Sequence, residues 1–222
     1  MTSRAGVREV TRLVLDGIFP PACLGCSEAG EWLCKRCLED IPFVGSVPCG
    51  AESPLDGLCA VSSYHHPIMG ALIRSFKYQR ALCLEEEALR SVFLKFREKF
   101  VQAPTMIVPL PMDPERERTR GMDHALRLAK LVQSVLWPTT PVVQALTRTR
   151  QTHTNASIKS PELRRANVQG VFACTSDLTR ERPLLIDDVY TTGATMHEAA
   201  KLCRAAGALQ VQGLVLGLSK EE

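Results

Sequence analysis

Two adjacent acids, Asp187 and Asp188, end an apolar run of the sequence that begins at Leu184. The apolar run is typical of a buried strand, and residues 194–206 are rich in helix-forming side chains. The Thr- and Gly-containing loop between them would lead into a helix N-terminus, where free N–H groups and the helix dipole favour an anion. Carboxylates beside such a loop could hold sugar hydroxyls or a metal ion next to a phosphate. The alternative is a strand–helix turn that binds no ligand.

Four of the nine cysteines form two Cys-x-x-Cys pairs, which seven residues separate. Each pair turns its two sulfurs toward one point, so two pairs can complete the tetrahedral sulfur shell that Zn²⁺ prefers. A single pair could be redox-active, but two close pairs without a surrounding βαβ pattern indicate a metal. We predict a structural zinc ion with four ligands, Cys23, Cys26, Cys34 and Cys37.

The composition indicates a globular protein with one main domain and a small appendage. The chain has 222 residues, 45% of them apolar, and a formal net charge of +3. Positive charge is concentrated in residues 115–165, where ten basic residues stand against four acidic ones. Such a stretch can meet polyanions or a phosphorylated ligand, but it can also be ordinary solvated surface. We find no transmembrane run and no secretory signal, and we expect a cytoplasmic protein with reduced or metal-bound cysteines.

Hydrophobic periodicity divides the chain into alternating elements. We expect helices over residues 3–18, 67–76, 83–100, 121–136 and 194–206. We expect strands over residues 60–64, 105–109, 141–146, 184–189 and 211–218, with residues 38–58 as linker or irregular structure. Alternation of this kind predicts a parallel α/β sheet with helices on both faces. The predicted domains are residues 1–58, with a helix and the cysteines, and residues 59–222.

Ligands of parallel α/β sheets bind beyond the carboxyl ends of the strands. This rule places two segments along one edge of the predicted sheet. One is Val108-Pro109-Leu110-Pro111, and the other contains Asp187, Asp188 and the loop after them. We therefore expect both segments to contact one ligand.

Several motifs, taken in chain order, resemble the ComF family. They are the two cysteine pairs, Phe76-Lys77-Tyr78, Val108-Pro109-Leu110-Pro111, Arg118-Thr119-Arg120-Gly121, residues 147–152, Arg165-Ala166-Asn167-Val168 and residues 186–195. The resemblance covers about residues 20–218. Two departures are visible. Met122, Asp123 and His124 follow Gly121, where the family has Phe-Asn-Gln, and Cys49 and Cys59 lack their Cys-x-x-Cys partners, which suggests one zinc ion and not two.

The resemblance implies a type I phosphoribosyltransferase-like parallel sheet flanked by helices, with a small N-terminal four-cysteine zinc-binding domain. It also implies a site for 5-phosphoribosyl-1-diphosphate (PRPP) and Mg²⁺. Asp187 and Asp188 would be the catalytic residues, facing the ribose hydroxyls and the metal-bound diphosphate. The 5′-phosphate would lie in the phosphate loop, which consists of Thr191, Thr192, Gly193, Ala194 and Thr195.

The same resemblance assigns further residues to the diphosphate. Pro109 and Leu110 would hold it, through a backbone amide exposed by an unusual peptide geometry. Arg118 and Arg120 belong to a basic loop that resembles a mobile flap. In true enzymes of this type, catalysis is mostly electrostatic and positional. No dedicated acid or base for an acceptor is evident, and Asp123 and His124 are candidates by position alone.

For the family, the implied role is natural transformation, in which DNA crosses the inner membrane. The protein would act on the cytoplasmic side or peripherally at that membrane, with or without phosphoribosyl transfer. Its partners would be PRPP or a related phosphorylated ribose, single-stranded DNA and a helicase-like competence protein. One alternative is a catalytic phosphoribosyltransferase of nucleotide salvage. Another is a non-catalytic sensor of PRPP or a nucleotide.

Overall fold

The computed structural model describes residues 21–78, 84–100, 102–115, 118, 122–150 and 160–219. The α-helices are α1 (Lys35–Asp40), α2 (Pro67–Tyr78), α3 (Leu84–Lys95), α4 (His124–Leu136), α5 (Pro161–Val168) and α6 (Ala194–Ala205). A 3₁₀ turn, Arg97–Lys99, follows α3. The strands are β1 (Gly45–Val47), β2 (Gly57–Ser63), β3 (Met106–Pro109), β4 (Leu146–Arg148), β5 (Phe172–Cys174), β6 (Pro183–Tyr190) and β7 (Gln212–Leu218).

Five strands form the central sheet, in the order β1-β2-β7-β6-β3. The strands β2, β7, β6 and β3 are parallel, and β1 adds an antiparallel edge. Strands β6 and β7 read as nearly continuous apolar runs because helices cover both faces of the sheet. The predicted fold class, a mostly parallel sheet flanked by helices, is confirmed.

Each face of the sheet has its own hydrophobic core. On one face the core includes Phe76, Leu89 and Phe93, which come from α2 and α3, and α4 completes it. Cys23 and Cys37 belong to the same core, so the cysteine segment packs against these helices. On the other face, α6 packs on β6 and on the short two-stranded sheet of β4 and β5.

The register of the sheet brings two loops to one edge. Pro109 at the end of β3 pairs with Ile186 of β6, so the segments that follow both residues lie side by side. The loop after β3 leads to α4, which begins at His124, and the loop after β6 leads to α6, which begins at Ala194. Both helices therefore present their N-termini at the carboxyl edge of the sheet.

The predicted strand over residues 141–146 is wrong. Val142 forms only an isolated bridge with Ile107, and the strand itself is β4, which pairs antiparallel with β5. Pro141 has no N–H to extend the ladder beside β3, which is only four residues long. The carbonyl of Ala145 instead accepts a hydrogen bond from the Thr175 N–H (2.9 Å), which commits this chain to pairing with β5.

Two other predictions differ from the structure in detail. Residues 38–58 contain the end of α1, all of β1 and the start of β2, so they are not simply a linker. The helix expected over residues 83–100 ends at Lys95, and the 3₁₀ turn follows. The helix expected over residues 3–18 lies outside the described residues.

The division into residues 1–58 and 59–222 stays a prediction. Strand β1, which precedes that boundary, is hydrogen-bonded into the central sheet through β2. Within the described part of the chain, no helix is long and apolar enough to cross a membrane.

Candidate functional site

The phosphate loop connects the end of β6 to the first residue of α6. Gly193 is the N-cap of α6 and has a φ of 75°, in the left-handed region that favours glycine. A Cβ atom added at Gly193 would also overlap the phenol ring of Tyr190. The Tyr190 hydroxyl in turn lies 3.2 Å from Nε2 of His197, one turn along α6. The sharp turn into the helix therefore requires a glycine at this position.

The phosphate loop lines a small, open pocket with a cavity volume of about 20 Å³. Its lining consists of the five loop residues together with Asp187, Val189, Tyr190, Met196 and Val215. A helix N-terminus at such a cavity offers N–H donors and a partial positive charge. The structure thus places all five predicted loop residues around one small pocket at the N-terminus of α6.

Asp187, the first of the two predicted acids, lies close to other acidic groups. Asp187 is half-buried, and its Oδ1 accepts a hydrogen bond from the Asp188 N–H (2.8 Å). Burial, followed by the nearby charge of Asp188, raises the pKa of Asp187 to about 7, and Asp123 adds to this effect. Lys77 acts in the opposite direction. The site therefore concentrates negative charge, as a site for a metal ion or for ribose hydroxyls would.

Lys77 is the residue that sequence reasoning did not assign to this site. Its Nζ lies 3.0 Å from Oδ1 of Asp188, and each of these side chains is 19% exposed. The residue sits in the last turn of α2, more than a hundred positions from the acids in sequence. The available signal was the Phe76-Lys77-Tyr78 motif, which was part of the resemblance but had no chemical role attached to it.

His124 and Asp123 have structural contacts at the start of α4. His124 is 3% exposed, and its ring nitrogens meet the carbonyl oxygens of Lys77 and Met122, the latter at 2.9 Å. The Asp123 carboxylate caps α4 by accepting a hydrogen bond from the Leu126 N–H (2.9 Å). Their positional candidacy as acid or base for an acceptor therefore finds no support in the geometry.

The first backbone amide of the loop after β3 is already hydrogen-bonded to the sheet. The Leu110 N–H donates to the carbonyl of Ile186 (3.0 Å), and the Leu110 side chain is buried. An anion at this edge would therefore meet the loop beyond Leu110. Here Arg148 lies 3.6 Å from the buried carboxylate of Asp113 and donates to the carbonyl of Pro111 (3.5 Å). Arg148 thus fixes the shape of this loop.

Some basic side chains of residues 115–165 form ion pairs or hydrogen bonds within the protein. Arg127 pairs with Glu86 (2.8 Å), and Arg150 donates to the carbonyls of Asn167 and Gln169 at the end of α5. Arg118 is exposed, whereas Arg120 lies outside the described residues. Lys130 on α4 is exposed as well. The local charge excess thus includes cations that act as helix caps and loop anchors.

The four-cysteine cluster (Cys23, Cys26, Cys34 and Cys37) brings all its sulfurs within 4.8 Å of one another. The Cys26 and Cys34 sulfurs are 3.7 Å apart, close to the ~3.8 Å edge of a tetrahedron with Zn–S bonds of about 2.3 Å. The N–H groups of Gly25 and Cys34 donate to the Cys23 sulfur, both at 3.4 Å. The residues fit a tetrahedral metal ion, and within the described residues no other group of this kind could hold one.

The thiols of this cluster differ in acidity. For Cys23, burial opposes ionisation, but N–H donors from Cys34, Cys26 and Gly25 outweigh it and lower the pKa to about 6. Burial and the neighbouring thiols raise the pKa of Cys37 to about 12. Four thiolates cannot coexist here without a cation, so metal binding would release protons.

The chain combines a mostly parallel α/β sheet, an acidic strand end, a glycine-capped loop and a four-cysteine cluster that could hold a metal ion, which is the combination that the resemblance to the ComF family implies. Two curated relatives match most of this chain. DNA utilization protein YhgH of Escherichia coli O157:H7 is 31% identical over 205 residues, 86% of this chain and 87% of that protein. Competence protein F of Haemophilus influenzae is 26% identical over 212 residues, 89% of this chain and 90% of that protein. The chain belongs to the family of these proteins, and the resemblance to the ComF family is confirmed.

No protein-family model matches the chain. Among solved structures, the glutamine PRPP amidotransferase from B. subtilis, complexed with ADP and GMP, aligns with a TM-score of 0.43 and 15% identity. The alignment covers 64% of this chain and 30% of that one. An allosteric regulatory enzyme of purine biosynthesis aligns with a TM-score of 0.42 and 15% identity.

Proposed function

We propose that this protein takes part in DNA uptake or utilisation and that it binds PRPP with Mg²⁺ at the carboxyl edge of its sheet. The names of its relatives, competence protein F and DNA utilization protein YhgH, support the first part. The second part depends mainly on one observation. The acids Asp187 and Asp188 lie directly beside a helix N-terminus whose cap, Gly193, no other residue can replace without strain.

In this proposal the acid pair, Asp187 and Asp188, holds the ribose hydroxyls and contributes carboxylate oxygens to the metal ion. Mg²⁺ commonly uses one or two protein carboxylates and completes its shell with water and substrate phosphates. Burial and then carboxylate repulsion raise the pKa of Asp187, and a divalent cation relieves the repulsion. Bound Mg²⁺ would neutralise charge on the diphosphate.

The phosphates would lie on either side of the acid pair. Thr191, Thr192, Gly193, Ala194 and Thr195 would surround the 5′-phosphate with N–H groups and hydroxyls. The diphosphate would meet the loop after β3, whose shape Arg148 and Asp113 maintain. Pro109 and Leu110 would support that loop from the sheet, while Arg118 and Arg120 would approach as a flap.

A second candidate is a PRPP or nucleotide sensor that does not turn its ligand over. The contacts of Asp123 and His124 favour it, because both candidate proton-transfer groups are engaged by the backbone at the start of α4. A phosphoribosyltransferase of nucleotide salvage would release pyrophosphate from PRPP in the presence of a suitable base. Release with any member of a base panel, above the rate with PRPP alone, would establish the enzyme over the sensor.

We also propose that the metal of the four-cysteine cluster is Zn²⁺. Four sulfur ligands leave no open coordination position, so the ion would stabilise the segment and not catalyse.

Single-stranded DNA and a helicase-like protein are the proposed partners, at the cytoplasmic side of the inner membrane. Because several cations of the basic stretch are engaged, we place direct DNA contact on exposed residues such as Arg118 and Lys130.

The decisive experiment is a calorimetric titration of the purified protein with PRPP and Mg²⁺. We expect saturable 1:1 binding by the wild type and at least a tenfold loss of affinity in the Asp187→Asn/Asp188→Asn variant, since the hydroxyl and metal contacts disappear. Asp40→Asn, an exposed acid at the end of α1, is the matched control and should bind normally. Wild-type protein that gives no heat with PRPP would contradict the proposed site.

A further inference from the structure

The last turn of α2 supplies a cation to the proposed PRPP site. Lys77 forms an ion pair with Asp188 at 3.0 Å, and both side chains are largely shielded from solvent. Lys77 lies in a helix, outside both the phosphate loop and the loop after β3. The pair therefore joins the helices on one face of the sheet to the ligand edge.

His124 holds the backbone at Lys77 in place through two contacts. The Lys77 carbonyl contacts the ring of His124, the first residue of α4. The neighbouring Phe76 is fully buried and packs edge-on against the same imidazole, with ring centroids 5.8 Å apart. The four-carbon side chain of a lysine remains flexible when its backbone is fixed. The ammonium group can thus change partners without any movement of α2.

The charges at this edge are unbalanced. Asp187 interacts electrostatically with Asp188 and Asp123, and Lys77 acts on Asp187 and pairs with Asp188. A divalent cation that binds to Asp187 and Asp188 would stand next to the Lys77 ammonium, and like charges a few ångströms apart repel each other. A diphosphate that arrives with the metal offers the displaced ammonium several anionic oxygens, for which it has three donors.

We propose that Lys77 is an exchangeable counter-ion of the PRPP site. In the ligand-free protein its ammonium group neutralises Asp188. When PRPP arrives with Mg²⁺, the metal replaces Lys77 at the carboxylate, and Lys77 passes to a phosphate oxygen of the ligand. This inference rests on the proposed function and adds a phosphate-binding residue to it, one that lies outside both loops.

The proposal predicts opposite effects of one substitution on two ligands. Lys77→Met should weaken PRPP–Mg²⁺ binding by roughly 10–100-fold, because a charge-assisted hydrogen bond to a phosphate is lost. The same variant should bind Mn²⁺ alone several-fold more tightly, because the competing ammonium is gone from Asp188. A residue with only a structural role would weaken both ligands or neither.

The test combines calorimetry with PRPP and Mg²⁺ and electron paramagnetic resonance of Mn²⁺ without PRPP. Lys77→Arg keeps the positive charge and should retain much of the PRPP affinity. Lys99→Met, at an exposed lysine of the 3₁₀ turn after α3, is the matched control and should change neither affinity. If Lys77→Met does not fold, as judged by its circular dichroism and melting, Lys77→Gln provides the same comparison with a polar side chain.

The outcomes separate this inference from the function on which it rests. Wild-type protein that binds no PRPP would overturn the proposed function and this role of Lys77 with it. Wild-type protein that binds PRPP, together with a Lys77→Met variant of equal affinity, would overturn the role of Lys77 alone. Weaker PRPP binding with unchanged or weaker Mn²⁺ binding would also overturn it, since the exchange at Asp188 requires the two affinities to move in opposite directions.

Discussion

The four-cysteine cluster and the acid pair, Asp187 and Asp188, both gather groups that carry like charges when ionised. In the cysteine cluster, four sulfurs within 4.8 Å of one another come from a single run of fifteen residues, and all four point to one centre. At the acid pair, β6, the start of α4 and the end of α2 each supply a charged group. The cysteine cluster is thus a local structure that could hold a metal ion. The acid pair instead lies where distant elements meet, and one lysine pairs with Asp188.

The two sites have opposite effects on the free energy of folding. A closed sulfur shell gains folding free energy from its metal, because the unfolded chain holds no preformed site. The acid pair costs folding free energy, because burial and mutual repulsion make ionised Asp187 unfavourable. A protein keeps such a cost mostly where a ligand needs the charge. Four predictions test this contrast.

The largest effect should come from the removal of metal. Structural Zn²⁺ contributes on the order of 10–16 kcal/mol to small zinc domains, so chelation or Cys34→Ser should unfold the segment around the cluster. Metal analysis should give one zinc per wild-type chain and none in the variant, with a lowered melting temperature. Cys49→Ser is the control, because Cys49 lies outside the cluster. A fully folded wild-type protein without metal would contradict this prediction, because the cysteine cluster would then gain no folding free energy from a metal ion.

The next effect concerns the phosphate loop. Gly193→Ala should destabilise the protein by about 1–3 kcal/mol, because the new Cβ atom is strained at φ 75° and also overlaps Tyr190. PRPP affinity should fall with it. Gly170→Ala is a matched control, since Gly170 has a φ of 66° but no atom within 4 Å of an added Cβ. The difference in urea midpoint between the two variants isolates the contact with Tyr190.

A smaller effect tests how the cysteine cluster is fastened to the core. The Lys95 ammonium on α3 donates to the carbonyls of Leu38, Glu39 and Ile41, at 2.8, 2.9 and 2.7 Å, just beyond the cluster. Lys95→Met should cost roughly 1–2 kcal/mol of stability, because these carbonyls lose a charged donor. Zinc content should stay at one per chain. Loss of zinc from this variant would show that the cluster is less self-contained than its sequence spacing suggests.

The smallest effect has the opposite sign and depends on pH. The pKa of Asp187 rises from an ordinary 3.8 to about 7 on folding, so the folded state binds this proton more tightly than the unfolded chain does. Its contribution to stability is therefore complete below about pH 4 and is lost as the pH rises through 7. Asp187→Asn should stabilise the protein by about 1 kcal/mol at pH 8 and by much less at pH 5.

Urea unfolding at the two pH values measures this effect. The Asp177→Asn variant is a useful comparison, because a hydrogen bond from the Thr179 side chain lowers the pKa of Asp177. That substitution should cost stability at pH 8, the reverse of the effect at Asp187. If Asp187→Asn proved destabilising at pH 8, the acid pair would be a structural device and its contrast with the cysteine cluster would disappear.

The sequence predicted the local parts of this protein well. The spacing of Cys23, Cys26, Cys34 and Cys37 predicted a cluster, and the structure brings their sulfurs together. The residues around Asp187 predicted a strand, a loop and a helix, which are β6, the phosphate loop and α6. In both cases the information lies within one turn or one strand–helix connection, where neighbouring residues alone decide the geometry.

Sequence reasoning failed where distant segments compete for the same backbone partners. Residues 141–146 have the composition of a strand. The chain instead pairs with β5 from Leu146 onward, and only Val142 bridges to β3. Leu110 was expected to contact the diphosphate, yet its amide already donates to the Ile186 carbonyl. Neither outcome follows from local pattern, because each depends on which strand lies alongside.

What the sequence determined by itself was the set of chemical groups, namely the sulfurs, the acid pair and the glycine that turns the chain into α6. Only the tertiary structure decided that Lys77 meets Asp188 and that His124 holds the Lys77 backbone. The physical reason is distance along the chain. Ligands within one short run are brought together by local geometry, whereas an ion pair across more than a hundred residues forms only after the sheet and its helices have packed.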